Sequence, residues 1–145
     1  MDNVLIRKLK EEDAEDISTI HAAITQLPVM NDFRKTIKEQ ALRDEGASFI
    51  AEFKGQIVGY MVSYILSGGF GIGKSAWIAM LGVNPKYMGQ GIGEKLAREI
   101  FKYYQAQGVR YIYTSVRWDS TDLLSFFKTL GFDRSDFINL RKNLE

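Results

Sequence analysis

The chain has 145 residues, of which 46% are hydrophobic and 26% are charged, and these values are ordinary for a soluble globular domain. Lys and Arg (19) nearly balance Asp and Glu (18), which argues against a protein that mainly binds nucleic-acid backbones. The absence of cysteine excludes disulfides, thiolate metal sites and cysteine nucleophiles, and one histidine, His21, is too few for a histidine-rich metal cluster.

No segment of the sequence has the pattern of a membrane span or a signal peptide. The longest nearly apolar stretch is 57–66, about half of the roughly 20 residues that a membrane helix needs. The N-terminus meets charge at Asp2 and has no apolar run before a cleavage site. We therefore expect a single cytoplasmic domain over residues 1–145, without a metal, a membrane partner or a nucleic-acid partner.

Hydrophobic periodicity and turn residues predict elements in the order β-α-α-β-β-β-α-β-α-β. The predicted strands are 4–7, 47–53, 56–66, 75–83, 109–116 and 137–140, and the predicted helices are 11–24, 33–44, 91–107 and 120–130. This order indicates an α/β protein, with a mixed sheet that carries helices on its faces. The acidic residues that open the first helix are predicted to be solvated rather than to bind a metal: Glu11, Glu12, Asp13, Glu15 and Asp16.

Two glycine-rich segments could bind a phosphate group, and they imply different proteins. Residues 68–75, GGFGIGKS, match the P-loop pattern G-x-x-x-x-G-K-[ST]. A P-loop must open a helix, whereas residues 76–83 form a short apolar run that ends at Asn84-Pro85 and indicates a buried strand. No apolar strand ends in an obvious aspartate for Mg²⁺. We interpret 67–74 as a hairpin loop and keep a P-loop nucleotide-binding protein as an alternative.

The second segment, 88–93 or MGQGIG, directly precedes the most amphipathic helix of the sequence. Glycines at 89, 91 and 93 permit positive φ angles and a close approach of the backbone to a ligand. The first turn of a helix has amides without an internal acceptor, and the helix dipole adds positive charge there. This segment therefore predicts a diphosphate site made of backbone amides, although a glycine-rich turn that merely starts a helix would have the same sequence.

Residues 83–93, VNPKYMGQGIG, followed by Leu96, resemble the acyl-CoA-binding motif of the GNAT superfamily of N-acetyltransferases, Q/R-x-x-G-x-G/A after a V-x-P corner. Residues 123–132, LLSFFKTLGF, resemble the family's second motif, a helix that ends in L-G-F. The opening strand with Ile6-Arg7, the acidic first helix and the hairpin at 55–59 also fit. The resemblance therefore extends over nearly the whole chain.

This resemblance implies a mostly antiparallel sheet, splayed between its fourth and fifth strands, that binds acetyl-CoA. It implies that the pantetheine arm pairs like an added strand with the backbone of Leu81, Gly82 and Val83. A bulge in that strand would aim the Leu81 N–H at the thioester carbonyl as an oxyanion donor. The other implied cofactor contacts are Met88, Gly89, Gln90, Gly91, Ile92, Gly93, Ser120 and Phe127.

The implied activity is N-acetyl transfer to a primary amine of a small molecule or peptide, by direct attack of the amine on the thioester. The substrate side would be built from the first two helices and the 67–74 loop. Family habit also makes a homodimer possible.

Three features depart from the family pattern. Met88 replaces the Gln or Arg that opens the first motif, and Phe127 replaces the Tyr that protonates the leaving thiolate in many members. Ala79 and Met80 stand where several members have a Glu base. The remaining acid/base candidates, each of which also has a structural explanation, are Tyr64, His21 and Asp119. A catalytically impaired acyl-CoA-binding sensor is therefore a second alternative.

Overall fold

The computed structural model describes residues 3–28, 31–43, 46–68 and 71–145. Five strands form one sheet in the order of the sequence: β1 (Leu5–Lys8), β2 (Phe49–Phe53), β3 (Gln56–Gly68), β4 (Gly73–Val83) and β5 (Ile112–Thr114). The helices are α1 (Ala14–Thr25), α2 (Asn31–Ala41), α3 (Ile92–Ala106) and α4 (Thr121–Thr129). Neighbouring strands are antiparallel except for β4 and β5, which are parallel. The predicted fold class, a mixed sheet with helices, is therefore confirmed.

Helices cover both faces of the sheet and create a core on each. The face under α3 and α4, the α3 face, has a core that includes Leu96, Ile100 and Phe127. The face under α1 and α2, the α1 face, has a core around Ile17 and Ile37. The apolar stripe predicted for α3 is buried along its whole length: Ile92, Leu96, Ile100 and Tyr104.

The strand predicted at 137–140 is wrong, because this segment has no regular secondary structure. Its contacts with the β5 region are made by side chains rather than by a backbone ladder. The Phe137 ring lies 6.3 Å from the Tyr113 ring, and Asn139 Nδ2 donates to Ser115 Oγ at 3.2 Å. The strand predicted at 109–116 is also shorter in the structure, because only Ile112–Thr114 pairs with β4.

The loop predicted at 67–74 is also wrong in its extent. β3 and β4 stay paired as far as Gly68 and Gly73, so the hairpin connection is short. Gly69 and Phe70 of this predicted loop, and Asp44 of the predicted second helix, lie outside the described residues. The predicted first helix begins with a 3₁₀ turn, Glu11–Asp13, and becomes α-helical at Ala14.

Asp13 corrects the prediction of a solvated helix start, because it is buried at 4% exposure. Both of its carboxylate oxygens accept hydrogen bonds from Arg7 at 2.9 Å, and one also accepts from the Lys10 amide at 2.8 Å. Burial raises the pKa of Asp13, but the hydrogen bonds from Arg7 and Lys10 and the charge of Arg7 outweigh it and leave the pKa below its usual value. Arg7 also contacts Glu52, so this cluster joins β1, β2 and the first helix.

Candidate active site

β4 has an open edge because it parts from β5. The two strands pair only from Ala76 to Ile78, and at the last pair the Thr114 hydroxyl donates to the Ile78 carbonyl at 2.9 Å. β4 then continues to Val83, whereas β5 has ended. Residues 79–83 of β4 therefore have no strand partner on the β5 side within the described ranges, whereas residues 80–83 pair with β3 on the other side. We call this stretch the open edge of β4.

A β-bulge lies at the beginning of the open edge. Val62 of β3 pairs with Met80, and Ser63 pairs with Ile78, so Ala79 has no partner on β3. A bulge of this kind inserts one extra residue, and it shifts the alternation of the strand beyond it.

Two backbone hydrogen bonds reveal the effect of the bulge. The Ala76 amide donates toward β5, to the carbonyl just before that strand, at 3.2 Å. The Asn84 amide donates in the opposite direction, to a β3 carbonyl, at 2.8 Å. In an uninterrupted strand these two amides would face the same edge, because orientation alternates with every residue. The Asn84 amide faces β3, and successive amides of a strand face opposite edges. The amides of Leu81 and Val83 therefore face the open edge.

The side chains change face in the same way. Ala76 and Ile78 lie in the core of the α3 face, and beyond the bulge Leu81 and Val83 pack there. Met80 packs on the α1 face instead. The bulge therefore reorients both the hydrogen-bonding groups and the side chains of the segment that could hold a ligand.

Gly82 is covered on the α1 face by Tyr60, its partner on β3. A Cβ atom at Gly82 would lie 2.7 Å from the Tyr60 ring and 2.8 Å from its hydroxyl oxygen. The absence of a side chain at Gly82 therefore allows Tyr60 to lie across β4 beside Leu81.

The α3 helix begins at the same end of β4 as the open edge. Asn84 terminates the strand, and its side chain accepts from the Lys86 amide at 3.0 Å in the 3₁₀ turn that follows, Pro85–Tyr87. Gly89 and Gly91 then adopt left-handed φ angles of 77° and 82°. A Cβ atom at either glycine would meet nothing within 4 Å, so this turn has space around it.

The first turn of α3 has main-chain amides of the kind that bind anions. Gly91 is the N-cap, and the amides of Ile92, Gly93 and Glu94 have no acceptor within the helix. The helix dipole places partial positive charge at the same point. The Glu94 carboxylate is held by Arg98, one turn further along, at 2.8 Å. This arrangement can bind a phosphate group through main-chain atoms.

The other predicted cofactor residues lie in different surroundings. Met88 is 59% exposed, and Gly93 packs against Phe126 of α4. Ser120 is at the N-cap position of α4, but its side chain makes no capping hydrogen bond there. Phe127 is buried in the α3-face core, and its ring contacts those of Phe126 and Phe132.

The three predicted acid/base candidates lie in different surroundings. Tyr64 pairs with Trp77, on the other side of the bulge from the open edge, and the Arg43 guanidinium lies 5.8 Å from its ring centre. Asp119 is exposed, and the Arg117 guanidinium donates to both of its oxygens at 3.0 and 3.1 Å. The hydrogen bond from Arg117 lowers the pKa of Asp119.

His21 on α1 contacts Tyr60 across the α1-face core. Its Nδ1 atom lies 3.3 Å from the Tyr60 hydroxyl, and its ring stacks on Phe33 of α2 with centroids 4.0 Å apart. Tyr60 is 1% exposed, and burial raises its pKa to about 12. Sequence reasoning missed Tyr60, because its place beside Gly82 depends on the register of two strands.

The segment that matches the P-loop pattern has different surroundings from the α3 start. Gly73, Lys74 and Ser75 belong to β4, so a strand rather than a helix follows them. Ser75 is buried, and its hydroxyl accepts from the Trp77 indole at 3.0 Å. The helix N-terminus that a P-loop needs is therefore absent after Ser75.

A cavity of about 750 Å³ lies elsewhere, beside β5, the C-terminal end of α3 and residues 130–137. It includes none of residues 79–93, so it is separate from the open edge and the α3 start. Over the described ranges, no group of three or more His, Asp or Glu side chains is placed to hold a metal ion. No helix in that part of the chain has the length and apolar character to cross a membrane.

Residues 9–132 match the sequence model of the acetyltransferase (GNAT) family. Among similar solved structures is an aminoglycoside acetyltransferase, meta-AAC0020, from an uncultured soil metagenomic sample in complex with sisomicin, with 18% identity, a TM-score of 0.80, and coverage of 99% of this chain and 98% of that chain. The aminoglycoside N-acetyltransferase AAC(6')-Iy in complex with CoA has 17% identity, a TM-score of 0.82, and coverage of 97% and 95%.

A ribosomal-protein-alanine N-acetyltransferase from Brucella melitensis biovar Abortus 2308 is also similar, with 14% identity, a TM-score of 0.78, and coverage of 98% of this chain and 99% of that chain. At these identities the solved structures establish a common fold.

Proposed function

Because the chain belongs to the GNAT acetyltransferase family, we propose that it transfers an acetyl group from acetyl-CoA to a primary amine of a small molecule or peptide. One observation carries the proposal. The open edge of β4 and the amide-rich start of α3 lie at the same end of one strand, where a single extended ligand can reach both.

The cofactor would be held mainly by main-chain groups. Its diphosphate would accept hydrogen bonds from the turn that starts α3, built from Met88, Gly89, Gln90, Gly91, Ile92 and Gly93. Its pantetheine arm would pair with the backbone of Leu81, Gly82 and Val83 as an added strand. Ser120 and Phe127 belong to α4, which packs on the start of α3, and they would border the far edge of the cofactor.

The bulge gives the Leu81 amide a catalytic role in this proposal. Its N–H would donate to the thioester oxygen as negative charge develops there, and one such donor is worth about 3–4 kcal/mol in a transition state. The amine nitrogen attacks the carbonyl carbon, the C–S bond breaks, and CoA leaves as a thiolate. Because the α3 start would hold the diphosphate on the other face, we place the approach of the amine on the α1 face.

A sensor that binds acyl-CoA without turnover is the second candidate. The observation that favours it is the absence of a side-chain acid or base at Phe127, Ala79 and Met80. This candidate uses the same cofactor site, so ligand binding alone does not separate the two.

Ligand-dependent thermal unfolding followed by a transfer assay tests the proposal. Acetyl-CoA at 100 times its Kd should stabilise the protein by about 2.7 kcal/mol, and Mg-ATP should not. Release of free thiol is then measured with sisomicin, a peptide with an N-terminal alanine and a peptide with an internal lysine. Transfer to any of these amines supports the enzyme, and binding without transfer favours the sensor. Stabilisation by Mg-ATP alone contradicts both.

A further inference from the structure

We propose that His21 accepts the proton that the acceptor amine loses during acetyl transfer, and that Tyr60 is the positioning residue that holds its imidazole. The inference rests on the proposed transferase function. The site needs a proton acceptor, because β4 has Ala79 and Met80 at the positions where a carboxylate could act as the base.

His21 lies close to the open edge of β4 through Tyr60. Tyr60 lies across β4 at Gly82, with its hydroxyl oxygen 2.8 Å from the position of a Cβ atom there. His21 Nδ1 is 3.3 Å from the same hydroxyl. The imidazole is therefore one hydrogen bond away from a side chain that touches the open edge, on the face from which the amine would approach.

Two aromatic side chains orient the His21 imidazole. Phe33 stacks on the imidazole with an interplanar angle of 10°, and Tyr60 contacts its Nδ1 atom. These two contacts fix the plane and the rotation of the ring. Within the described part of the chain, the hydrogen-bond partner of the imidazole is Tyr60, which contacts Nδ1. The other ring nitrogen, Nε2, is then the atom that would face a substrate. His21 is partly exposed, whereas Tyr60 is buried, so of the two only the imidazole can meet a substrate directly.

The described groups that face the His21 imidazole are uncharged. From α2, the residue that meets the imidazole is Phe33, and the adjacent Arg34 is paired with Glu15 at 2.8 Å. The β3 group that meets the imidazole is the Tyr60 hydroxyl, and the nearby β4 residues, Met80 and Gly82, are uncharged. The residues one turn away on α1 are also uncharged: Ile17, Ser18, Ile24 and Thr25. Among the described contacts, no charged side chain competes for the proton.

The proposed step is balanced. The amine nitrogen forms a bond to the carbonyl carbon, and its surplus proton passes to His21 Nε2. The C–S bond breaks, and its electron pair stays on sulfur. The imidazolium then returns the proton to the thiolate, directly or through water, to give the free thiol of CoA. The imidazole ends neutral, and the products are an amide and a thiol.

NMR can follow His21 directly, because it is the one histidine of the sequence and its Hε1 resonance cannot be confused with that of another histidine. Acetyl-CoA should shift this resonance together with the amides of Gly91 and Gly93. Adenosine 3′-phosphate 5′-diphosphate, which keeps the diphosphate but lacks the pantetheine arm, should shift the glycine amides and leave His21 unchanged. If acetyl-CoA shifts the glycine amide resonances but not the His21 resonance, the inference is overturned and the proposed function stands. No shift of either glycine by acetyl-CoA contradicts the proposed function, and the inference with it.

Steady-state kinetics test the proton transfer itself. The acceptor is whichever of the three amines named above the wild type acetylates fastest. His21→Gln should lower kcat by roughly 10²–10⁴ and leave KM for acetyl-CoA unchanged. Because a protonated imidazole cannot accept a proton, wild-type kcat should fall at acid pH more steeply than protonation of the amine alone requires, and this additional fall should be absent in His21→Gln. Tyr60→Phe should move the acid limb and keep part of kcat.

Tyr104→Phe is the matched control, since it removes another buried tyrosine hydroxyl, one that contacts Ser63 and the Ala47 amide on the α3 face. It should leave the shape of the pH profile unchanged. Wild-type kcat and an unchanged profile in His21→Gln overturn the assignment. A wild type that acetylates none of the three amines removes the proposed function and the assignment together.

Discussion

Gly82 has no side chain, and this absence makes room for Tyr60 beside the open edge of β4. The Tyr60 ring occupies the space that a Cβ atom would take, and it holds His21 from there. Protein interiors are close-packed, so an added methyl group at this contact must displace an aromatic ring or the strand itself.

Gly82→Ala should therefore lower the free energy of unfolding by about 1–3 kcal/mol, as overpacking does in other cores. Gly68→Ala is the control, because a Cβ atom there meets the nearest atom of Ile72 at 3.6 Å, an ordinary contact. We expect it to change stability by no more than about 0.5 kcal/mol. Urea unfolding of both variants is the measurement, and equal losses would show that the contact with Tyr60 is not the cause.

Asp13 gives the fold a pH-dependent contribution. Its pKa in the folded chain lies below its usual value, so the unfolded chain binds the proton more readily. The contribution is present above the usual carboxyl pKa of about 4 and is lost as the pH falls through the lower folded value.

Asp13→Asn should cost about 1.5–3 kcal/mol at pH 7, the range for hydrogen bonds to charged groups. The difference from wild type should shrink as the pH falls from about 4 through the lower pKa of the folded chain, below which the wild-type carboxyl is protonated too. Urea unfolding at several pH values measures this, with Asp16→Asn, an exposed acid on α1, as the control. A deficit that is constant with pH would contradict the assigned charge.

At the scale of elements, the bulge in β4 is the feature on which the proposed chemistry depends. By alternation it directs the Leu81 amide to the open edge and the Met80 amide to β3. Proline removes an amide N–H and is tolerated in a strand where that N–H does not join the ladder.

Leu81→Pro should therefore fold and bind acetyl-CoA but lose roughly 10²–10³ in kcat, as expected for an oxyanion donor. Met80→Pro, one residue away, should instead lower the melting temperature because it removes a hydrogen bond to β3. Steady-state kinetics and thermal unfolding of the pair test the orientation. Retention of wild-type kcat in Leu81→Pro would refute the role of its amide.

The sequence predicts some of these elements better than others, for physical reasons. The apolar stripe of α3 and the glycines before it are local signals, and the structure confirms that helix. The bulge at Ala79 and the contact of Tyr60 with Gly82 result from register between strands, which no single segment encodes. The burial of Asp13 depends on Arg7, a partner outside its helix. The segment 137–140 has strand-like residues, but it forms no ladder.

At the scale of the whole molecule, the two faces of the sheet have separate tasks in the proposed function. The α3 face carries the helix start that would hold the diphosphate, and the α1 face carries His21 and Tyr60, toward which the amine would come. The open edge of β4 lies between them. The family resemblance found in 83–93 and 123–132 predicted the splayed sheet, but these two segments do not identify the acceptor.

The proposed function depends on binding of the acetyl-CoA diphosphate by backbone amides at the start of α3. Gly91 allows a direct test, because Asn and Asp have the same size and both tolerate its left-handed φ better than other side chains do. Calorimetric titration with acetyl-CoA should show that Gly91→Asp binds more than tenfold more weakly than Gly91→Asn, through repulsion of the diphosphate, while Lys74→Ala binds like wild type. Equal affinity of the two Gly91 variants, with binding lost in Lys74→Ala, would contradict the account.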